Sequence, residues 1–390
     1  MTRPRGPLEL IGLDRLLTDE EREVRAVTRR FVDDRVRPHV SGWWEAGTVP
    51  VRELAREAGA LGLLGMQVHG YGCAGLGAVA YGLACAELEA GDSGVRSLVS
   101  VQGSLVMHAL HAYGSDEQRE RWLPALARGE VLGCFGLTEP DAGSDPGAMR
   151  TRAERDGTDW LLAGTKTWIT NGTVADVAVV WARTAEGVRG FLVPTDAPGF
   201  TAREIPRKMS LRASVTAELA LDGVRLPADA LLPGARGLSG PLGCLVEARL
   251  GIVAGVTGAA RDCMEAALAY TGQREQFGRP LAGFQLTQAK LADMTAALAG
   301  AVLLAVHLGR AKEAGELLPE QVSLGKLANV RAALKIARTA RGLLGAAGIT
   351  LDYPVMRHAA NLETVLTYEG THEVHQLVVG QALTGLSAFR

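Results

Sequence analysis

The first third of the chain is predicted to be helical, because its apolar residues recur at every third or fourth position. The stretches with this spacing are residues 18–36, 51–64, 78–90 and 101–112. The first of them opens with Thr18, three residues before Glu21, which is the pattern of a capping box. We therefore expect an N-terminal region built of helices.

The pattern changes near Gly133, where short β-rich segments replace the helical spacing. These segments are residues 160–162, 178–181 and 190–193, and Asp-Gly and Asn-Gly turns separate the strands. From about Leu242 long Ala/Leu helical patterns return, interrupted by a predicted loop at residues 272–283. This order predicts an α+β, mainly α fold of separate layers rather than alternating βαβ units. The predicted domains are residues 1–131, 132–240 and 241–390.

Composition narrows the class of protein. Apolar residues make up 47% of the chain and charged residues 22%, which is enough apolar sequence for a large core. The net charge of −2 and the lack of a long Lys/Arg run argue against nucleic acid or an anionic membrane as the main partner. The five cysteines are scattered without a CxxC pair, as expected of reduced thiols. The first ten residues lack the apolar run of a signal peptide, and the apolar stretch at 296–309 is short for a membrane span, so we expect a cytoplasmic protein without membrane insertion.

Two motifs point to other functions, and both are weak. GLGAVA at residues 75–80 matches a dinucleotide fingerprint, but no convincing strand precedes it, so a glycine-rich start of a helix is the better interpretation. Glu369 and His372 form one ExxH pair, whereas a di-iron bundle needs two such pairs and further glutamates. His108 and His111 lie in an apolar helical pattern that is typical of core histidines. No metal is therefore expected.

Two middle segments combine small, hydroxyl and aromatic residues. GCFGLTEPDAGSD at residues 133–145 is predicted to be a strand ending in a loop that can bring backbone N–H groups and hydroxyls to a phosphate or a polar ring edge. KTWITN at residues 166–171 places an aromatic, an aliphatic and a hydroxyl side chain before an Asn-Gly turn. Taken singly, the first could equally be a decorated turn, and Trp168 would more often belong to a core.

Together the two segments resemble the acyl-CoA dehydrogenase family, and the resemblance covers nearly the whole chain. It implies an N-terminal helical domain, a middle β-barrel-like domain and a C-terminal four-helix bundle, with FAD bound between the last two. It also implies that one side of the flavin ring is lined by Phe135, Leu137 and Thr138, and the other by Trp168, Ile169 and Thr170. Ser144 is expected to seat the phosphopantetheine arm of the acyl-CoA.

Three C-terminal motifs agree with this family in the expected order. REQFGRP at 274–280 with Phe284-Gln285 resembles the loop that reaches the FAD of a neighbouring subunit, which implies cofactor contacts from Arg274, Phe277 and Gln285. LGAAG at 344–348 resembles the glycine-rich flavin contact, although relatives often have Gly-Gly-Asn-Gly, and implies contacts from Leu344, Gly345 and Gly348. YEGTHE at 368–373 implies a catalytic base at Glu369, acyl-CoA contacts from Tyr368 and Gly370, and adenylate-side contacts from Thr371 and Glu373.

Glu369 is the candidate base for removing the α-proton of a thioester. Burial beside an apolar ring raises the pKa of a carboxyl group toward the working range of a base. The resemblance implies that the flavin ribityl hydroxyl and the Glu369 N–H polarise the carbonyl, and that flavin accepts the β-hydride. Arg249 is expected near the acyl-CoA. Some relatives place the base just before this arginine, but that position is Ala248 here, and Glu247 lies about a quarter turn away. The alternative for Glu369 is a solvated or capping residue at the start of a helix.

The segment around Arg96 indicates the substrate class. An arginine at the acyl end of the pocket is a costly buried charge unless the substrate brings a carboxylate. Arg96 and Ser97 match the glutaryl-CoA dehydrogenase branch, which implies that Arg96 binds the distal carboxylate and that Glu89 orients Arg96. The branch also implies decarboxylation to crotonyl-CoA, with Glu369 returning a proton, and Tyr368 and Glu89 fit this. Val95 stands where relatives often carry tyrosine, which leaves the exact diacid open. If Arg96 instead forms an ordinary ion pair, that assignment fails.

The resemblance further implies a homotetramer and an electron-transferring flavoprotein as partner. Three alternatives stay open from sequence alone. They are an enzyme for another short-chain or dicarboxylic acyl-CoA, with or without decarboxylation, a flavin monooxygenase on the same fold, and a non-catalytic binding protein.

Overall fold

The N-terminal part of the computed structural model is helical as predicted. Residues 5–389 are described, so residues 1–4 and 390 of the first and third predicted domains lie outside the described residues. The helices are α1 Pro7–Ile11, α2 Asp19–Arg35, α3 Val40–Ala46, α4 Val51–Ala60, α5 Ala78–Gly91, α6 Ser93–Ser100, α7 His108–Tyr113 and α8 Asp116–Ala127. The capping box of α2 is confirmed, because the Thr18 hydroxyl accepts from the Glu21 N–H (3.2 Å) and the Glu21 carboxylate accepts from the Thr18 N–H (2.9 Å). The start of α5 directly after Gly77 confirms the helical interpretation of the glycine-rich stretch.

Two predicted helix boundaries are wrong. The helix predicted at residues 51–64 ends at Ala60, because the chain turns through Gly62, which has a φ of 72°. The helix predicted to begin at residue 101 begins at Ser93, where the Asp92 carboxylate accepts from the Gly94 N–H at 2.7 Å. From Ser100 the helix continues through a π-helical segment, Val101–Met107, into α7. This early start places Arg96 inside a helix.

The middle part is a curled seven-stranded sheet. Its strands are β1 Gly133–Gly136, β2 Arg152–Asp156, β3 Asp159–Thr170, β4 Val177–Thr184, β5 Gly187–Pro194, β6 Phe200–Glu204 and β7 Thr216–Leu226. The order is β1-β4-β2-β3-β7-β6, with β5 paired to β4, and β1 runs parallel to β4. The three segments predicted from sequence lie inside β3, β4 and β5. The strands are longer than predicted because their polar and glycine positions also pair in the sheet.

The C-terminal part is a bundle of long helices. They are α9 Ser239–Gln273, α10 Gln285–Glu313, α11 Pro319–Leu343, α12 Val355–Thr367 and α13 His372–Thr384. Helix α11 packs against each of the other four. The loop predicted at residues 272–283 is wrong in part, because a two-stranded hairpin, β8 Glu275–Gln276 with β9 Arg279–Pro280, lies inside it. The arrangement of helices, curled sheet and helices confirms the predicted fold class.

Helix α9 approaches α5 closely along a stripe of glycines. A Cβ atom at Gly258 would overlap the carbonyl oxygen of Ala86, and one at Gly251 would lie 2.6 Å from the Tyr81 hydroxyl. A Cβ atom at Gly255 would overlap the Glu89 carboxylate. Only glycine allows backbones and polar side chains to come this near to a helix. The stripe therefore sets the distance at which α5 presents its side chains to the bundle.

Helices α9 and α10 are each long and apolar enough to cross a membrane, judged by length and composition. For α10 as a whole this criterion covers more residues than the stretch 296–309 considered from sequence, and the expectation of no membrane insertion stays a prediction. In the structure, 67% of the most apolar window of α9 is buried inside the protein, and 33% of that of α10. The core helices of a bundle can be as long and as apolar as a membrane span. Helix α10 differs from α9 in that its own chain leaves much of its apolar surface uncovered.

Candidate active site

Glu369 lies in the short connection between α12 and α13. Helix α12 ends at Thr367, and Thr371 begins α13 as its N-cap, accepting from the Val374 N–H at 3.2 Å. Glu369 has a φ of 53°, in the left-handed region that side chains other than glycine rarely adopt. Backbone strain of this kind occurs where the surrounding structure holds it and is frequent at active sites. The strained residue is the one predicted to be the base.

Two cations hold this strained connection through its carbonyl groups. Lys326 of α11 is 2% exposed, and its Nζ donates to the carbonyl oxygens of Tyr368 and Gly370, both at 2.7 Å. Arg249 of α9 donates through Nε to the carbonyl oxygen of Glu369 at 2.7 Å. Three successive carbonyls are thus bound by charged donors. Sequence reasoning missed Lys326 because a lysine in an amphipathic helix is usually a surface residue.

The Glu369 carboxyl group has the environment of a base. Its Oε2 atom is buried and has no hydrogen-bond partner within residues 5–389, although the residue as a whole is partly exposed. Burial raises the pKa of Glu369, and the nearby cations Arg96, Arg249 and Lys326 oppose that rise. A carboxylate with a raised pKa and a free oxygen can accept a proton from carbon.

Glu247, which lies two residues before Arg249 in the sequence, is already paired with a cation. Its carboxylate forms a salt bridge with Lys312 of α10. The Lys312 ammonium group occupies the Glu247 carboxylate, whereas Glu369 Oε2 has no hydrogen-bond partner among the described residues. The geometry therefore favours Glu369 over Glu247.

Arg96 and Glu89 form a buried pair next to Glu369. Their side chains are 1% and 0% exposed, and Arg96 Nε donates to Glu89 Oε2 at 2.8 Å. The Ser93 hydroxyl donates to the other Glu89 oxygen at 2.8 Å. Arg96 Nη2 donates to the hydroxyl of Tyr368, the residue directly before Glu369. The structure thus brings Arg96, Glu89, Tyr368 and Glu369 together, as the sequence motifs imply for an acyl-CoA site.

Two buried hydroxyls lie on the same helix as Arg96. Ser97 is 3% exposed and Ser100 is 1% exposed, and within the part of the chain that the structure describes neither hydroxyl has a hydrogen-bond partner. Buried polar groups are normally paired, so unpaired ones indicate a missing ligand or water. Ser97 was predicted, whereas Ser100 was missed. Its position three residues after Ser97 in a helix is the signal that could have found it.

The loop after β1 is fixed by a buried ion pair. Lys166 of β3 donates to the Leu137 carbonyl at 3.0 Å and to the Glu139 carboxylate at 2.8 Å. Glu139 also accepts the backbone N–H groups of Arg150 (2.6 Å) and Thr151 (2.9 Å). Burial alone would raise the pKa of Glu139, but these hydrogen bonds outweigh it and lower the pKa to about 2. Sequence reasoning did not single out this pair.

The two predicted ring-contact segments are adjacent in space. The Thr138 carbonyl accepts from the Thr167 N–H at 2.9 Å, which joins the loop after β1 to β3. Phe135 and Leu137 are buried in the same apolar cluster as residues of α6. Trp168 is 61% exposed with a φ of 61°, at an irregularity in the pairing of β3 with β7.

The residues in these segments fit a flavin ring. An indole exposed beside an apolar wall provides the flat surface that a planar ring requires, and the threonines at positions 138 and 170 provide hydroxyls that are not fully buried. The Ile169 side chain is 3% exposed and packs in the sheet core, so it does not share the surface of Trp168, and its role as a ring contact stays a prediction. Neighbouring residues of a strand point to opposite faces, which explains the difference.

The remaining predicted contacts lie elsewhere on the chain. Arg274, Phe277 and Gln285 are exposed on the hairpin region at the ends of α9 and α10, and Phe277 is 95% exposed. Leu344 is buried, Gly345 has a φ of 60°, and a Cβ atom at Gly348 would overlap the Arg341 carbonyl oxygen. Ser144 and Glu373 are exposed. Within residues 5–389 none of these side chains hydrogen-bonds to the buried Oε2 atom of Glu369, and their roles as cofactor and substrate contacts stay predictions.

Among the described residues, no group of three His, Cys, Asp or Glu side chains could hold a metal ion. His372 lies beside Arg331, which donates to its ring nitrogen at 2.8 Å. All five cysteines are free, and burial raises the pKa of the least buried one, Cys73, to about 11.

Models of all three parts of one enzyme family match the chain. They are the acyl-CoA dehydrogenase N-terminal domain at residues 18–130, middle domain at 134–224 and C-terminal domain at 235–384. The chain therefore belongs to the acyl-CoA dehydrogenase family. A glutaryl-CoA dehydrogenase structure from Mycobacterium smegmatis is 68% identical with a TM-score of 0.98, covering 99% of this chain and 100% of that one.

Two further relatives agree with that likeness. A glutaryl-CoA dehydrogenase structure from Mycobacterium smegmatis in complex with FADH2 is 64% identical, with a TM-score of 0.98 and coverage of 99% of this chain and 100% of that one. The glutaryl-CoA dehydrogenase of Desulfococcus multivorans is 34% identical over 379 residues, covering 94% of this chain and 97% of that protein.

Proposed function

We propose that the chain oxidises glutaryl-CoA, decarboxylates the product to crotonyl-CoA and CO2, and passes the electrons to an electron-transferring flavoprotein. The chain is an FAD-dependent enzyme of the acyl-CoA dehydrogenase family. The choice of glutaryl-CoA rests on the likeness to glutaryl-CoA dehydrogenases and on one feature of the site.

That feature is the incomplete pairing of Arg96. The Glu89 carboxylate accepts only from the Nε of Arg96, and the Tyr368 hydroxyl accepts from its Nη2. Within residues 5–389 the Nη1 group of Arg96 has no hydrogen-bond partner. A guanidinium group binds a carboxylate best through two parallel N–H donors, and a buried guanidinium with free donors needs such a ligand. The distal carboxylate of a short diacyl-CoA supplies one, and the unpaired hydroxyl of the adjacent Ser97 is a further donor.

The residues of the chain carry the proton transfers. Glu369 removes the α-proton of the thioester, while the cations around it keep its carboxylate available. Bound FAD supplies the acceptor for the β-hydride. After oxidation, CO2 leaves from the γ-carbon and its electron pair delocalises toward the thioester. Glu369, now protonated, returns its proton to that carbon to give crotonyl-CoA. Phe135, Leu137 and Trp168 are the ring contacts, and the buried Lys166–Glu139 pair keeps their loop in place.

A second candidate substrate is another short-chain or dicarboxylic acyl-CoA. Val95 favours it, because this side chain is 2% exposed next to Arg96 and is smaller than a tyrosine. A smaller side chain leaves more room beside the arginine, so a longer diacid could fit. Turnover of adipyl-CoA faster than glutaryl-CoA would support this candidate.

The test is an anaerobic mix of the FAD-loaded protein with glutaryl-CoA, following flavin bleaching and CO2 release together. We expect both from the wild type. The Glu369→Gln variant should bind FAD but lose about 10³-fold in the rate of flavin reduction, within the range of general-base effects. The Glu247→Gln variant is the matched control and should retain the rate. Bleaching without CO2 would leave the dehydrogenase and remove the decarboxylation, and an undiminished Glu369→Gln variant would contradict the assignment of the base.

We further propose that the protein is a cytoplasmic homotetramer. Large apolar side chains are exposed on α10 and on the hairpin before it, and they include Phe277 (95%), Leu286 (80%) and Leu303 (47%). Exposed apolar surface on this scale favours contact with other subunits. Light scattering should give a mass about four times the 41.1 kDa of one chain. A monomer would contradict the proposal.

A further inference from the structure

The peptide group between Tyr368 and Glu369 is held at one end only. Its carbonyl oxygen accepts from Lys326 Nζ at 2.7 Å. Its N–H, which belongs to Glu369, donates to no acceptor within the described residues. A trans peptide is planar, so its carbonyl and its N–H point in opposite directions and move together. Whatever fixes the oxygen of Tyr368 also aims the N–H of Glu369.

Lys326 is unusual because it is a buried lysine whose ammonium group donates to peptide carbonyls. It is 2% exposed, its hydrogen bonds go to the carbonyls of Tyr368 and Gly370, and within residues 5–389 it forms no salt bridge. A buried ammonium group without a counter-ion is costly, so it needs a compensating role. Lys166, the other fully buried lysine near the site, is paired with the Glu139 carboxylate. Burial accordingly lowers the pKa of Lys326 to about 7; the Glu369 carboxylate opposes that fall, and Arg249 and Arg96 add to it.

We propose that Lys326 is a positioning residue that aims and polarises the Glu369 N–H toward the thioester oxygen, while its protonated form stabilises the Glu369 carboxylate. A hydrogen bond to a peptide carbonyl strengthens the N–H of the same peptide as a donor. A charged donor does so more strongly than a neutral one. One side chain thus serves both halves of enolate formation: the developing charge on oxygen and the base that removes the proton. The inference rests on the proposed function.

The charged and titratable groups around Glu369 come from five elements. They are Glu89 of α5, Arg96 of α6, Arg249 of α9, Lys326 of α11 and His375 of α13, with Tyr368 adjacent in the chain. Burial lowers the pKa of His375 to about 3, with Lys326 and Arg249 adding to the effect, so His375 carries no charge in the working range. Glu89 is paired with Arg96. Arg249 and Lys326 are thus the cations near Glu369 that form no salt bridge among the described residues, and Lys326 alone contacts the peptide group that precedes Glu369.

The experiment compares Lys326→Met with Lys326→Arg and with Lys335→Met, the same exchange at an exposed position of the same helix. FAD content and the thermal unfolding midpoint establish that each variant folds. Stopped-flow reduction by glutaryl-CoA then gives the limiting rate and the apparent dissociation constant. We expect Lys326→Met to lose about 10²-fold in limiting rate, as when an oxyanion donor is removed, with a smaller change in the dissociation constant. Lys335→Met should match the wild type.

Two readouts separate positioning from a structural role. The pH midpoint of flavin reduction should move to higher pH in Lys326→Met, because Glu369 loses a cation, and should not rise in Lys326→Arg, which keeps a positive charge at this position. The infrared carbonyl stretch of bound crotonyl-CoA, labelled with carbon-13 at the thioester, should lie higher in Lys326→Met than in wild type, because the carbonyl is less polarised. This second readout involves no turnover.

An unchanged rate in Lys326→Met would overturn the inference alone. So would a lower rate with an unmoved pH midpoint, an unmoved carbonyl stretch and no recovery in Lys326→Arg, since a packing defect gives that result. If wild-type flavin is reduced by a different acyl-CoA only, the same variants are compared with that substrate. If no acyl-CoA reduces wild-type flavin, the proposed function fails, and this inference fails with it.

Discussion

Two buried glutamates on α5, only two residues apart, use their arginine partners differently. Glu87 is bound by both terminal nitrogens of Arg261, each at 2.6 Å, and also by Arg29. Glu89 is bound by Arg96 through Nε alone at 2.8 Å, and Ser93 completes its partners. Positions two apart lie on nearly opposite sides of a helix. One pair therefore closes an interface between helices, and the other faces the site.

The difference shows that burial of an ion pair does not by itself reveal function. Arg261 and Arg96 are 3% and 1% exposed, so burial does not separate them. The two arginines differ in which guanidinium nitrogens bind the carboxylate. Both terminal nitrogens of Arg261 donate to Glu87, whereas Arg96 donates to Glu89 through Nε alone. An arginine whose terminal nitrogens are both bound by a carboxylate has a structural role. An arginine whose terminal nitrogens are not bound by a carboxylate retains N–H donors for a second one.

The largest expected effect comes from Arg96→Met. It removes the donors for the distal carboxylate and leaves Glu89 without its cation, so kcat/KM for glutaryl-CoA should fall about 10³-fold, roughly 4 kcal/mol. Turnover of butyryl-CoA, which has no distal carboxylate, should fall far less. Steady-state kinetics with both substrates gives the ratio. An equal loss for the two substrates would mean that Arg96 supports structure only.

Arg261→Met is the counterpart. Removing one partner of a buried pair costs about 3 kcal/mol of stability, which lowers the thermal unfolding midpoint. The ratio of glutaryl-CoA to butyryl-CoA turnover should not change. If this variant does not fold, Glu87→Gln, which keeps the shape of the pair, gives the same comparison. A changed substrate ratio in either variant would break the distinction between the two pairs.

Glu89→Gln should have a smaller effect than Arg96→Met. The amide oxygen can still accept from Arg96 Nε, but the loss of negative charge weakens the hold on the guanidinium group. We expect about a tenfold loss of kcat/KM for glutaryl-CoA, since exchanging a hydrogen bond to a charged group for a neutral one loses about 1.4 kcal/mol. Glu87→Gln is the matched control. A larger loss than that of Arg96→Met would show that Glu89 acts on the substrate directly.

The smallest expected effect is a shift in pH dependence. Burial raises the pKa of Glu369, and Arg96 is the first of the cations that oppose this rise. The rate of flavin reduction should therefore increase as the pH rises through the pKa of Glu369, because the base must be deprotonated. Arg96→Met removes the opposing charge and should move the midpoint to higher pH. Arg261→Met should not move it. Stopped-flow reduction by butyryl-CoA across pH measures both, and an opposite shift would contradict the sign of the Arg96 effect.

Sequence predicted those parts of the site that depend on local chemistry. Glu89, Arg96, Tyr368 and Glu369 could be identified because each belongs to a short motif, and the structure brings them together. The capping box at Thr18 and the start of α5 could be predicted because they depend on neighbouring residues alone. The roles of the cofactor contacts stay predictions.

What could not be predicted depends on long-range packing. Lys326 lies among apolar and basic residues of α11 that fit an ordinary amphipathic helix, and only the arrival of the 368–370 carbonyls buries its ammonium group. The left-handed backbone of Glu369 is likewise held from outside, by Arg249 and Lys326 on two other helices. The start of α6 was missed because Gly91 and Gly94 flank its cap and are typical of a turn.

The glycine stripe of α9 makes the geometry of the binding pocket sensitive to a residue that no substrate touches. A methyl group at Gly255 would overlap Glu89 Oε2 and lie 3.5 Å from Arg96 Nε, so an alanine there would tilt the guanidinium group away from its present aim. At Gly258 the obstacle is backbone, and the helix itself would have to slide. Changes of acyl preference could therefore arise during evolution from single methyl groups on the far side of the arginine, with every contact residue left intact.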